Sequence, residues 1–195
     1  MRTLFRLFPL LSGLALALLT VSCASGPGGD YGIASNVDAR KIDQKSRSAL
    51  ESLYRSHPGA RSLAARSRAI LVFPDILKGG VILGGSYGDG TLYQRNRAAG
   101  FYRSISASYG LQIGLQKYGY ALFLMDSAAI NSLNSSDGWE IGSTPNLVVI
   151  DQGAALHISS TTLEDGIYAV VFGQKGLMAG VSLEGTKVTR LAVKQ

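Results

Sequence analysis

The side chain with the clearest claim to chemistry is Ser86, in the run Gly84-Gly85-Ser86-Tyr87-Gly88. The run fits G-x-S-x-G, the turn that presents the nucleophile of many hydrolases. Such a serine needs a histidine base, itself held by a carboxylate. The chain has two histidines, His57 and His157. The usual chain order would make His157 the base and Asp126 or Asp151 the acid. The elbow also needs strand, sharp turn and helix in succession. The residues after Gly88, "DGTLYQRNRAAGFY", read instead as turn and strand. Ser86 is therefore expected in a strand leading into a Gly88–Gly90 turn. A serine hydrolase stands as a distant alternative, and no catalytic residue is assigned. Two separated histidines and one cysteine do not make a structural zinc site. Neither G-x-G-x-x-G nor a phosphate-binding P-loop occurs around residues 79–90. No metal and no cofactor are expected, and the chain reads as non-enzymatic.

Cys23 is the only cysteine, so an intramolecular disulfide is impossible. It follows Arg2, Arg6 and a 13-residue, mostly apolar run from Leu7 to Leu19. A short positive region, an apolar stretch and small residues make a secretory signal peptide. At about 1.5 Å per residue the run spans roughly 20 Å, too short for a hydrocarbon core of about 30 Å. Leu19-Thr20-Val21-Ser22-Cys23 resembles a bacterial lipobox, in which the thiol is acylated and the signal is cut before it. One acyl chain anchors a protein only marginally, while two or three hold it stably. Ala24, not Asp, follows the cysteine, which by resemblance to Gram-negative lipoproteins favours the outer membrane. The expected organisation is a signal peptide over 1–22, a flexible tether over 23–34 and a folded domain over 35–195. Removing the first 22 of 195 residues leaves 173, enough for one good core.

The elements that would position these groups fall into two blocks. Ser35 to His57 reads as a helix, with a start signal at Ser35–Asp38 and a stop at Pro58-Gly59. Ile42, Ala49 and Leu53 share one face at about 100° per residue, with Leu50 beside them. A shorter helical stretch, "ARSLAARS", follows. From residue 69 the pattern becomes short strands with many glycines: "AILVF" stopped by Pro74, then "GVILGGSYG", "TLYQR", "GFYRSIS", "YALFLM", "LVVID", "IYAVVF" and "KVTRLAV". Turns are expected at Gly88–Gly90, Tyr118-Gly119, Asp151–Gly153 and Glu184-Gly185. "DSAAINSLN", 126–134, is the one convincing helix among them. The predicted fold is α+β: N-terminal basic amphipathic helices, then a Gly-rich, mainly antiparallel β-barrel or β-sandwich-like domain. Trp139 reads as a loop anchor in the core, with membrane contact as the alternative.

The charge is uneven. Residues 35–70 carry eight basic and three acidic side chains, whereas the rest of the chain from 71 carries nine of each. The arc of the first helix opposite its apolar seam holds Arg40, Lys41, Lys45, Arg47 and Arg55. These five are the candidate contacts for anionic phospholipid headgroups. A solvated helix face is the plain alternative. Each cation near an anionic surface contributes about 1 kcal/mol, and salt screens it. Nucleic acid is not an expected partner of an exported chain.

Three ordered stretches carry a family resemblance. "RAILVFPDILKGGVILGGSYGDGTLYQR" resembles the hallmark of the SYLF domain, with its apolar-Phe-Pro, Lys-Gly and Gly-Gly-x-x-Gly-x-Gly elements. "SYGLQIGLQKYGYALFLM" is similar to that family's second glycine-rich strand pair, and "IYAVVFGQKGLMAGVSLEG" to its C-terminal signature. The resemblance covers about residues 36–192. It implies a non-enzymatic domain that binds acidic phospholipids or phosphoinositides, and in some eukaryotic members actin. The alternative is a structural or interaction module that meets an envelope protein or cell-wall partner.

Overall fold

The computed structural model describes residues 38–80, 83–109, 114–134, 139–141, 147–150, 166–176, 183 and 185–192, with only the backbone at Tyr109, Leu147–Ile150 and Gly176. All lie in the compact unit Gly32–Gln195. The expected signal peptide, tether, Cys23, Asp151, His157 and the Asp151–Gly153 turn lie outside the described residues.

Helix α1 (Ala39–Ser56) starts where the start signal ends: the Asp38 carboxylate accepts hydrogen bonds from the amides of Arg40 and Lys41. Those amides have no partner within the helix, so the cap stabilises its first turn. Ile42, Ser46 and Leu53 form the buried seam, flanked by half-buried Ala49 and Leu50. Pro58 does end α1, and it also opens α2 (Pro58–Arg66), since proline at the first helical position forfeits only an amide that has no partner there. Helix α3 (Ser127–Ser132) is capped by Asp126, whose carboxylate accepts from the amide of Ala129 at 2.7 Å.

Eight strands follow: β1 (Ala69–Gly80), β2 (Leu83–Gln94), β3 (Arg97–Tyr109), β4 (Gly114–Leu124), β5 (Trp139–Glu140), β6 (Leu147–Ile150), β7 (Ile167–Gly176) and β8 (Lys187–Arg190). They form one sheet in the order β5-β8-β3-β2-β1-β4-β7-β6. Seven strands are joined by antiparallel pairings, and β6 lies parallel to β7 at one edge. The order has two ends, so the described strands do not close. The expected barrel or sandwich is instead one open, mainly antiparallel sheet with helices beside it.

Strand alternation divides the apolar residues between two cores. Leu71, Phe73, Tyr102, Tyr120 and Leu122 lie in one, together with Leu133 and Trp139. Trp139 is thus a core residue, paired through β5 with Val188 of β8. On the opposite face Val72, Tyr93, Phe123 and Val170 meet Leu53 of α1 and Leu63 of α2.

Three turn or stop expectations fail around one feature. Strand β1 passes through Pro74, and it gains one residue there against both neighbours, between Val72 and Leu77 in the pairing with β2 and between Phe73 and Ile76 in the pairing with β4. Proline donates no amide hydrogen bond, so a bulge is where a strand tolerates it. Gly88-Asp89-Gly90 and Tyr118-Gly119 are not turns either; they lie inside β2 and β4, alongside this bulge. A Cβ on Gly90 would collide with the Val72 carbonyl and the Phe73 ring. One on Gly119 would sit 2.5 Å from the Phe172 ring and 2.9 Å from the Pro74 carbonyl oxygen. The glycines serve close approach rather than chain reversal. The reversal between β2 and β3 falls at Arg95-Asn96, both at positive φ (49° and 63°), as a two-residue hairpin turn requires. The Glu184-Gly185 expectation agrees with the positive φ of Gly185, 70°.

Candidate functional site

Ser86 sits within β2, paired to β1 on one side and β3 on the other. It is buried, and its Oγ lies 2.7 Å from the Ser106 Oγ. No helix follows it, so the strand–turn–helix elbow is not formed. His57 is buried at the α1–α2 junction, with Nδ1 2.7 Å from the Ser56 Oγ. Among the described residues no group of three His, Cys, Asp or Glu side chains is placed to hold a metal ion.

The five candidate cations all project from α1, but they have different duties. Successive residues turn by about 100°, which spreads Arg40, Lys41, Lys45, Arg47 and Arg55 over an arc of roughly 160° facing away from Ile42 and Leu53. At the margins of the arc the charges are engaged. Lys45 Nζ lies 3.2 Å from the Asp75 carboxylate at the β1 bulge. Arg47 pairs with Asp43 one turn earlier at 3.0 Å and stands over the Tyr93 ring. The Tyr93 hydroxyl donates to the Asp43 carboxylate at 2.8 Å. Its pKa is raised, first by burial and then by that carboxylate, so it stays a donor. The Ser46 hydroxyl donates to the Val72 carbonyl at 3.4 Å. Lys45 and Arg47 therefore help to latch the helix onto the sheet. Arg40, Lys41 and Arg55 are exposed and form no ion pair with a described carboxylate.

Where α1 begins, its first turns and the sheet enclose a groove of about 400 Å³, lined among others by Lys41, Lys45, Asp75, Leu77, Tyr87 and Lys117. The acidic groups around it are already satisfied. Asp75 receives Lys45 and, at 2.8 Å, Lys117. Burial alone would push the Asp75 carboxyl up, but hydrogen bonds from Lys117 and Lys45 bring it below the usual carboxylate range. Asp89 takes a two-pronged contact from Arg103 (2.8 and 3.1 Å) and a hydrogen bond from the Tyr87 hydroxyl. Arg103 in turn stands over the Tyr87 ring. Asp38 caps α1. Lys41 is left as the uncommitted cation at the groove, next to apolar side chains. Such a site can receive an anionic headgroup that carries an apolar tail.

The residues around this groove that sequence reasoning missed are Asp75, Leu77, Tyr87 and Lys117. Alternation in β1, β2 and β4 places Leu77, Tyr87 and Lys117 on the α1 face. No sequence signal marked them, because Pro74 reads as the end of the strand and alternation looks the same with or without a covering helix. Among the described residues no helix is long and apolar enough to cross a membrane.

No curated protein matches the chain. Residues 105–192, from within β3 to just past β8, match the family model Ysc84, the Las17-binding protein actin regulator, and this part of the chain is similar to that family's (SYLF) domain.

Proposed function

We propose that the chain is a non-enzymatic, lipid-anchored protein of the bacterial envelope, outer membrane included, whose SYLF domain binds acidic phospholipids or phosphoinositides. Acylation at Cys23 would hold it at the bilayer, and the N-terminal charge and apolar pattern supports that anchor. The observation that carries headgroup binding is the outward arc of α1, where Arg40, Lys41 and Arg55 have no described acidic partner. Lys45 and Arg47 add positive potential while holding the helix in place. The test is co-sedimentation of the unacylated chain with vesicles. Preference for anionic over neutral vesicles is expected, weakened by removing Arg40, Lys41 and Arg55 together. Three cations at about 1 kcal/mol each predict a loss on the order of a hundredfold at low salt. Equal binding to both vesicle types would refute this reading.

A second reading is a protein-interaction module, and the description of the matched family as a Las17-binding actin regulator favours it. Retention of a specific envelope protein by the mature chain, without lipid preference, would select it.

A further inference from the structure

The face that carries α1 and α2 continues beyond the helices. There it exposes Leu77, Leu83, Tyr87, Ile105 and Leu115, at 61, 74, 45, 47 and 79%. These are not scattered. Pairing registers align Lys187, Ile105, Tyr87, Leu77, Lys117 and Lys175 across β8, β3, β2, β1, β4 and β7. Opposed residues on paired strands point to the same side, so this row is an apolar centre flanked by lysines, with Glu140 of β5 paired beyond Lys187. At about 4.8 Å per strand it is roughly 24 Å wide. Two residues farther along the strands, Leu115 stands in register with Gly79, which pairs with Gly85. Leu83 follows two residues beyond Gly85 on the same face of β2. Contiguous exposed apolar surface of this kind marks an interaction site.

We propose that this end of the sheet enters the interfacial layer of an anionic phospholipid bilayer. Leu77, Leu83, Tyr87, Ile105 and Leu115 would penetrate, while Lys117, Lys175 and Lys187 meet the headgroups. The inference rests on the phospholipid reading above and adds a second contact surface to it. Charge decides the occupant. Lys175 and Lys187 are exposed; one carboxylate, Glu140, stands in register with Lys187, while the nearby Asp75 and Asp89 are neutralised by their own partners, so the flanks keep a net positive charge. Lysine stems can lie along apolar surface while their ammonium groups reach the headgroup layer. A second copy docked by two-fold symmetry would bring Lys187 towards Lys117 and Lys175 of its mate, cation against cation. An anionic bilayer satisfies both the apolar centre and the lysine flanks.

The test uses the full chain with Cys23→Ser, carrying a polarity-sensitive fluorophore on Leu83→Cys, Leu115→Cys or, as a control on α2, Ser62→Cys. Phosphatidylcholine vesicles with and without phosphatidylserine are added, in a second set with brominated acyl chains as quenchers. An amphipathic surface buries about 5–10 Å into the boundary layer. A blue shift and bromine quenching are therefore expected at 83 and 115, with phosphatidylserine present, and not at 62. Lys175→Gln with Lys187→Gln should lower the inserted fraction on the order of tenfold. Labels that stay in water while the chain sediments with phosphatidylserine vesicles would overturn this inference and leave headgroup binding by α1 standing. Absence of any preference for phosphatidylserine vesicles, with both labels in water, would overturn both readings. Labels already shielded without vesicles would assign the face to a second copy if shielding depends on concentration, and to a segment of the same chain if it does not; either result overturns the inference.

Discussion

The helix-bearing face of the sheet has two halves that both carry large apolar side chains but differ in their cover. In one half Val72, Tyr93, Phe123 and Val170 lie beneath Leu53 and Leu63 and are almost inaccessible to solvent. In the other half β1, β2, β3 and β4 continue with the same alternation, yet Leu77, Tyr87, Ile105 and Leu115 are exposed. The boundary is the Pro74-Asp75 bulge. There the extra residue keeps Leu77 on the same face as Val72, and Asp75 ties β1 both to α1 through Lys45 and to β4 through Lys117. Large apolar side chains thus become core on one side of a bulge and open surface on the other. What decides is where α1 starts.

The comparison requires that the covered half holds the stability. Leu53→Ala removes a fully buried side chain from the helix–sheet seam. Lost transfer energy and the cavity left behind should together cost about 3 kcal/mol, read as a lower midpoint in a urea melt with unchanged slope. A loss below about 1 kcal/mol would mean that the seam is loosely packed. Gly90→Ala attacks the boundary itself, because the new methyl meets the Val72 carbonyl and the Phe73 ring, neither of which can move aside cheaply. Overpacking of this kind costs about 2 kcal/mol. The same melt should show it, and Gly173→Ala serves as the contrast. At Gly173 an added Cβ meets nothing within 4 Å, and only the positive φ of 64° is strained.

Much of the covered half was legible from residue types. The seam of Ile42 and Leu53, the capping aspartates Asp38 and Asp126, and the strands around "AILVF" and "YALFLM" follow from periodicity and local hydrogen-bond chemistry. The boundary was not legible. Pro74 reads as a strand end and Gly88–Gly90 as a turn, because local rules cannot see that β1 bulges and that its neighbours need glycine to approach it. Nor could composition show that Lys45 is engaged, since Asp75 is 30 positions away, or that Arg47, beyond its pair with Asp43 one turn earlier, stands over Tyr93, 46 positions away. The five α1 cations share an arc as expected, but the structure divides them into latch and free charge. That Leu77 and Leu115 stay uncovered was not legible either, because alternation is identical under a helix and under water.

Acid should loosen the boundary before the core. The Asp75 carboxyl lies below its ordinary range in the folded state. Its contribution is therefore fully present above the unfolded value near 3.9 and is lost as pH falls through the lower folded value. Both bridges are solvent-accessible, so together they are worth only about 1 kcal/mol. Asp75→Asn should melt slightly below the unaltered chain at neutral pH, and the gap should close in acid. A gap that persists or widens in acid would place the stabilisation in packing around the bulge instead.

The smallest expected effect is the most discriminating. Leu83→Ser and Leu115→Ser replace large apolar side chains in the open half, where little surface is lost from water on folding. Surface changes away from special features usually stay within about 0.5 kcal/mol, and both variants should melt within that margin of the unaltered chain. Leu53→Ala, a leucine of α1 packed on the covered half of that face, should cost several times more. If Leu83→Ser and Leu115→Ser were destabilised by as much as a core truncation, these leucines would be covered in the folded chain, and the contrast between the two halves would disappear. If they are neutral, two apolar side chains are held in water at no benefit to folding. Their retention then calls for a binding role, which the vesicle experiment measures directly.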